Sequence, residues 1–102
     1  MKNLFSVFIP TEGAEKTISV SLDSIHMLIF YIQLAGSTRQ TFICPPSLIT
    51  ASNSPCLPDF YFAGARLYLR VSRVSATKIK FSDLGNSGST TWSSVGLGVW
   101  FI

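Results

Sequence analysis

The fold of this chain is decided by a stretch in which apolar and polar side chains alternate, Ala65-Arg66-Leu67-Tyr68-Leu69-Arg70-Val71-Ser72. Successive side chains of a β-strand point to opposite faces, so every second residue shares a face. One side of such a strand holds the apolar residues Ala65, Leu67, Leu69 and Val71, and the other side holds Arg66, Tyr68, Arg70 and Ser72. The stretch therefore predicts a strand with one side in a core and the other side open.

The same period of two recurs elsewhere in the chain. Residues 17–22, 78–82 and 95–101 alternate in the same way, and each predicts a further strand. Residues 4–9 and 27–34 are apolar at nearly every position, and a strand without a polar face is usually covered on both sides. Residues 27–34 also fit a buried helical turn, but their length and their Ile, Phe and Tyr content favour a strand.

Turn-forming residues separate these segments. Glycine marks turns or loops at residues 12–15, 35–37 and 85–89, and the second of these links residues 27–34 to a strand over 38–44. Residues 45–58 contain four prolines, which predicts a long connection with room for one short strand over 48–50. About seven to eight strands in one chain predict an all-β fold. We expect a single antiparallel β-sandwich, jelly-roll-like, over residues 1–102.

Composition excludes several classes of protein. Hydrophobic residues make up 47% of the chain and charged residues 13%, which excludes a disordered tail. No apolar run reaches the roughly 20 residues of a membrane-spanning helix, and no secretory signal is present. The formal net charge is +3 and the basic residues are scattered. We expect synthesis in a cytoplasm, no membrane insertion and no nucleic-acid partner.

The sequence offers no convincing catalytic or metal site. The one histidine, His26, would have to activate Cys44 with help from Asp23, but no cysteine-hydrolase signature surrounds Cys44. The five acidic residues are scattered, and Asp59 and Asp83 fit turns or strand ends better than a carboxylate pair. Cys-x-x-Cys spacing and glycine-rich phosphate loops are missing. We therefore expect no catalytic residues, no metal, no cofactor and no enzymatic activity.

The two cysteines, Cys44 and Cys56, leave one question open in the sequence. A disulfide framework usually has more cysteines in a chain this short, so we expect two reduced, partly buried thiols. The sequence does not show whether the two residues meet.

The side chains of Arg66, Tyr68 and Arg70 are the most suggestive surface feature in the sequence. On a strand they project from one face at intervals of about 7 Å. Two guanidinium groups beside an aromatic ring could bind an anionic sugar or a phosphate, so these residues are candidate ligand contacts. The alternative is a solvated or subunit-facing surface on which the arginine stems cover apolar area.

The last residues of the chain are its most apolar end. Val95, Leu97, Val99 and Phe101 share one face, and Gly96, Gly98, Trp100 and Ile102 share the other. Glycines on a strand face leave room for another backbone or for a large side chain. We expect a terminal strand inserted in a sheet, with the second face forming a subunit interface. The alternative is a monomer whose last strand is central in the sandwich.

The second half of the chain resembles the C-terminal tip domains of bacteriophage tail fibres and tail spikes. The resemblance lies in the strand Thr77-Lys78-Ile79-Lys80-Phe81-Ser82, a Gly/Ser loop and the end Val95-Gly96-Leu97-Gly98-Val99-Trp100. It implies a virion-associated homotrimer that binds a host-surface glycan or protein and contacts other virion proteins. It carries over no individual binding residue.

The chain lacks the fibre shaft that precedes such tips, and Met1 fits the start of a separate small virion protein. The alternative function is a small structural or assembly protein of a capsid or tail whose only partners are proteins.

Overall fold

The structure is a computed structural model that describes residues 2–33, 39–51, 56–62, 65–86, 92 and 95–102. Eight strands lie within these residues: β1 (Lys2–Phe8), β2 (Glu15–Thr17), β3 (Leu28–Gln33), β4 (Arg39–Cys44), β5 (Cys56–Phe62), β6 (Ala65–Ser75), β7 (Lys78–Asn86) and β8 (Gly96–Phe101). Two short 3-10 helices, Leu22–Ser24 and Pro46–Leu48, lie between strands.

The strands form two antiparallel sheets that pack against each other, and the predicted all-β sandwich is therefore confirmed. The first sheet has the order β1-β8-β3-β4 and the second has the order β2-β7-β6-β5. The first and last strands of the chain are neighbours, while β5, β6 and β7 follow one another as a meander. Each sheet contributes one face to a shared core, as the alternating sequence predicts.

The core is made by the alternating apolar positions of the long strands. On β6, Leu67, Leu69 and Val71 are buried. The inward residues of the facing sheet meet them, and the largest fully buried side chains are Phe30 on β3 and Phe81 on β7. Within the described residues, no polar or charged residue belongs to this core.

The C-terminal strand β8 lies between β1 and β3 in the first sheet. Its inward residues Leu97 and Val99 are fully buried, as is Val95 just before the strand. After the strand ends, the backbone of Ile102 still hydrogen-bonds to His26 and Met27. The apolar chain end is thus explained by a central strand, as the sequence predicts.

Two of the predicted strands are wrong. Residues 17–22 form a strand only as far as Thr17, and the chain then bends into the helix Leu22–Ser24. Ile18 and Leu22 are still buried because the main chain of both residues hydrogen-bonds to the β6–β7 turn, through the carbonyls of Thr77 and Ala76. Residues 48–50 form no strand, because Pro46–Leu48 is helical.

The proline-rich connection ends earlier than expected. Pro58 lies inside β5, which begins at Cys56. β5 is an edge strand, and its pairing with β6 shifts between Cys56 and Asp59. An edge position at an irregularity is where a sheet accepts proline. Asp59, predicted at a turn or strand end, accordingly lies within a strand.

The predicted turns are described in part. Gly13 adopts a positive φ of 79°, and residues 12–15 separate β1 from β2 as expected. In the predicted loop 85–89, Gly85 and Asn86 belong to β7. Residues 87–89 and the predicted turn 35–37 lie outside the described residues.

Candidate functional site

The outward surface of the first sheet holds a broad shallow hollow of about 890 Å³. We call its lining the apolar face, and it consists of Asn3, Ser6, Val7, Ile29, Tyr31, Thr41, Ile43 and Trp100. No charged side chain is among these residues. The apolar face therefore differs from the usual outward side of a sheet, which is polar.

Strand register builds the apolar face from segments that are distant in sequence. Ile29 on β3 lies opposite Ile43 of β4 on one side and opposite Trp100 of β8 on the other. Tyr31 lies in the next outward row, between Thr41 and Gly98. Cross-strand neighbours of this kind are in side-chain contact. Two rows of uncharged side chains consequently run across three strands.

The hollow has an apolar floor and raised sides. Ile29 is only 9% exposed and lies at the floor, whereas Val7 and Ile43 are 47% and 60% exposed. The side-chain amide of Asn3 already has a partner, because its Nδ2 donates a 3.0 Å hydrogen bond to the carbonyl oxygen of Phe5. The exposed area of the lining is mostly apolar, although Asn3, Ser6, Tyr31 and Thr41 contribute polar groups.

The glycines of β8 are covered by a side chain of the same molecule. A Cβ atom on Gly96 would lie 2.6 Å from Cγ1 of Val7, and one on Gly98 would lie 3.0 Å from its Cγ2. The large side chain expected over these glycines is therefore that of Val7 on the neighbouring strand. Trp100 lines the hollow and Ile102 is 60% exposed, so these two predicted interface residues are accessible in the single chain.

The predicted ligand contacts Arg66, Tyr68 and Arg70 lie on the outward side of the second sheet. Arg66 is engaged by Asp59 on β5: its Nε and Nη2 donate hydrogen bonds of 3.0 and 2.8 Å to the two carboxylate oxygens. These hydrogen bonds from Arg66 lower the pKa of Asp59 below its ordinary value. The guanidinium carbon of Arg66 also lies 4.8 Å from the centre of the Tyr68 ring.

The ring of Tyr68 packs against other residues of the same chain. Gly85 lies opposite Tyr68 on β7, and a Cβ atom on Gly85 would fall within the Tyr68 ring. Arg70 is exposed and borders a small hollow with Glu12, Tyr68, Leu84 and Gly85. The three predicted residues do lie together, but Arg66 and Tyr68 already have intramolecular partners. Ligand binding by them stays a prediction.

Of the residues considered for a cysteine-based active site, Cys44 and Asp23 each interact with a different partner. Cys44 is a free, fully buried thiol whose pKa is raised by burial, and it donates a 3.4 Å hydrogen bond to the carbonyl of Pro45. Asp23 forms an ion pair with Arg73, at 2.9 Å between Oδ1 and Nη1. The hydrogen bond from Arg73 lowers the pKa of Asp23. The side chains of Cys56 and Asp83 lie outside the described residues.

The described residues contain no cluster that fits a metal site: no group of three His, Cys, Asp or Glu among them could hold a metal ion. No helix of this described part is long and apolar enough to cross a membrane. Comparisons of the chain with models of protein families, with curated proteins and with solved structures found no match.

Proposed function

We propose that this chain is a non-enzymatic structural module that assembles with further copies of itself through the apolar face. The observation that carries the proposal is the partly exposed hollow on the outward side of the first sheet, whose lining has no charged residue and includes Trp100, Tyr31 and Ile43. A sheet with apolar residues on both sides is typically buried on both sides. A contiguous exposed apolar patch marks an interaction surface.

A second copy is the partner that fits this surface best. The apolar face has no charged group that would require an opposite charge on its partner, so it is complementary to itself. Two identical surfaces can meet about a two-fold axis, the commonest symmetry of soluble oligomers. Stacked sheets then interdigitate their side chains at a separation of about 10 Å. The exposed Ile43 of one copy can enter the hollow of the other.

The area available makes this a modest interface. Four strands about 4.8 Å apart and six residues long, at about 3.3 Å per residue, cover about 400 Å² in projection. A standard interface buries about 800 Å² on each partner. We therefore expect the apolar face of one chain to support association with a dissociation constant in the micromolar range, below about 100 µM.

The resemblance to tail-fibre tips implies a different number of copies. A virion-associated trimer would bring three of these faces around a three-fold axis, with host-surface binding at loops or at grooves between subunits. This remains a proposal from the resemblance alone. The partners of Arg66 and Tyr68 favour an assembly role over anion binding on the second sheet.

The test is the mass of the native protein in solution by light scattering. We expect a mass of two or more chains of 11.2 kDa, and a smaller mass for the variant Trp100→Lys, because a buried ammonium group opposes face packing. Val74→Lys on β6 is the matched control, since Val74 is 50% exposed and lies outside the apolar face. A monomeric wild type at about 100 µM, or an equal effect of both variants, would contradict the proposal.

A further inference from the structure

The edges of the two sheets differ in how they are protected against pairing with another strand. An edge strand exposes unpaired backbone groups, and proteins commonly guard it with bulges, prolines, lysines or short length. β1 has two register shifts in its pairing with β8. β2 has only three residues, one of which is Lys16, and β5 contains Pro58 and a register shift. Three of the four edges are thus guarded.

The fourth edge, β4, is the most regular of the four. Its six residues pair with β3 without a register shift, from Leu28 opposite Cys44 to Gln33 opposite Arg39. The strand contains no proline, and its one charged residue, Arg39, stands at its first position. In the described part of the chain, no strand pairs with its other side. β4 is therefore a straight, regular template for one more strand.

We propose that β4 pairs antiparallel with β4 of a second copy about a two-fold axis perpendicular to the sheet. The two first sheets then become one continuous sheet of eight strands. The same strand serves both partners, as an isologous interface requires. Pairing of β4 with β1 of another copy is less favourable, because the two bulges of β1 interrupt its hydrogen-bonding edge.

The alternation of side chains restricts the register. Thr41 and Ile43 line the apolar face, whereas Phe42 points inward, with its ring 5.9 Å from that of Phe60. Opposed residues of an antiparallel pair lie on the same side of the sheet, so outward residues must oppose outward residues. Phe42 opposite Phe42 of the second copy meets this condition and sets Thr41 opposite Ile43.

The two nearest alternative registers also meet the condition but are less favourable. One would place Thr41 opposite Thr41 and the apolar Ile43 opposite the charged Arg39 of the second copy. The other would place Ile43 opposite Ile43 and Thr41 opposite Pro45, which lies beyond the end of β4 and has no N–H to donate. The first register instead forms two Thr41–Ile43 pairs of β-branched residues, which suit cross-strand contact. Antiparallel pairing also keeps the two arginines at opposite ends of the interface, whereas parallel pairing would bring them together.

This edge interface goes beyond the proposed face-to-face assembly and is independent of it. Edge pairing joins two apolar faces into one surface of about 800 Å² in projection, the size that a standard interface buries on each partner. The axis through the edge is perpendicular to the axis between stacked faces. Where the two axes also intersect, both interfaces together give a closed assembly of four chains.

The test is disulfide trapping across the edge under mild oxidation. We expect an equal mixture of Thr41→Cys and Ile43→Cys chains to give about tenfold more covalent dimer than either variant alone, because only the mixture opposes two new cysteines at bonding distance. Thr77→Cys is the control for random collision, since Thr77 is exposed in the β6–β7 turn. The protein without new cysteines gives the background from Cys44 and Cys56.

The outcomes separate the two interfaces. The cross-link must persist when both chains also carry Trp100→Lys, which weakens face packing but leaves the β4 edge unchanged. Loss of the cross-link in that background, a yield equal to the Thr77→Cys control, or a dimer of Thr41→Cys alone would overturn the edge pairing proposed here. If light scattering shows no assembly through the apolar face but the cross-link still forms, only the proposed function is contradicted.

Discussion

The ring of Tyr68 on β6 restricts which residue can stand opposite it on β7, at Gly85. The ring of Tyr68 covers Gly85 on β7 and is itself overlaid by the guanidinium of Arg66. An aromatic side chain across from a strand glycine supplies the packing that glycine lacks. Gly85, near the end of β7, is therefore required because it has no side chain.

We expect Gly85→Ala to destabilise the protein by about 1–3 kcal/mol, because the added methyl group overlaps the Tyr68 ring and forces it to move. Chemical denaturation measures the free energy of unfolding. The same substitution in a Tyr68→Ala background should cost clearly less, since the obstructing ring is gone. Equal costs in both backgrounds would show that the ring is not the obstacle.

The ion pair between Asp59 and Arg66 predicts a dependence of stability on pH. Hydrogen bonds from Arg66 lower the pKa of Asp59 in the folded protein. A carboxyl group with a lowered folded pKa contributes stability above its unfolded pKa of about 3.9, and this contribution is lost as the pH falls through the folded value.

We therefore expect Asp59→Asn to lower the thermal unfolding midpoint modestly at neutral pH and to reduce its decline between about pH 5 and pH 2. Thermal unfolding followed by circular dichroism at a series of pH values measures both effects. A decline as steep as that of the wild type would show that Asp59 does not contribute to the acid sensitivity.

At the scale of the element, the irregular region of the β6–β7 pair is held by an indole. The register between these strands shifts between Tyr68 and Arg70. The Nε1 of Trp92 donates to the carbonyl oxygens of both Tyr68 and Gly85, each at 3.0 Å. Trp92 is 5% exposed, so water offers these groups little alternative. One side chain thereby hydrogen-bonds to backbone carbonyl groups of both strands beside the register shift.

Trp92→Phe should cost about 1–3 kcal/mol of stability, because it removes the Nε1 hydrogen bonds to two carbonyl groups and part of the core. Trp100→Phe is the matched control on the apolar face, where the exchange should cost much less. Denaturant unfolding of both variants gives the comparison. Similar costs at the two positions would contradict the importance of the Trp92 hydrogen bonds.

At the scale of the whole molecule, the described ion pairs lie away from the apolar face. They link Arg66 to Asp59, Arg73 to Asp23 and Lys78 to Glu15. None of these residues lines the apolar face, and no charged residue belongs to that lining. The apolar face is therefore suited to contact with a neighbouring molecule.

Assembly through an uncharged surface should depend little on ionic strength. Salt screens interactions between charges but leaves apolar burial largely intact. We expect the concentration of half-association to change less than about threefold between 50 mM and 500 mM sodium chloride, as measured by light scattering or sedimentation. Tenfold weakening over that range would point to charged contacts and away from the apolar face.

The sequence by itself determined the all-β class, most strand positions and the direction in which their side chains point. Strands were predicted over residues 65–72 and 95–101, and strands lie there, because an alternation with period two follows from backbone geometry alone. The same pattern gave a wrong prediction of a strand over residues 17–22. There Ile18 and Leu22 are buried without a strand, and their main chain hydrogen-bonds to the β6–β7 turn. Inward position was predictable there, but strand pairing was not.

Only the tertiary structure decided what the outward residues contact. The pairing of Arg66 with Asp59 depends on the β5–β6 register, and the covering of Gly96 depends on β1 lying beside β8. The apolar face joins Asn3 to Trp100, from opposite ends of the chain, through strand order. Local alternation states which residues share a face of one strand. Register and strand order, which long-range packing selects, decide which strands share that face.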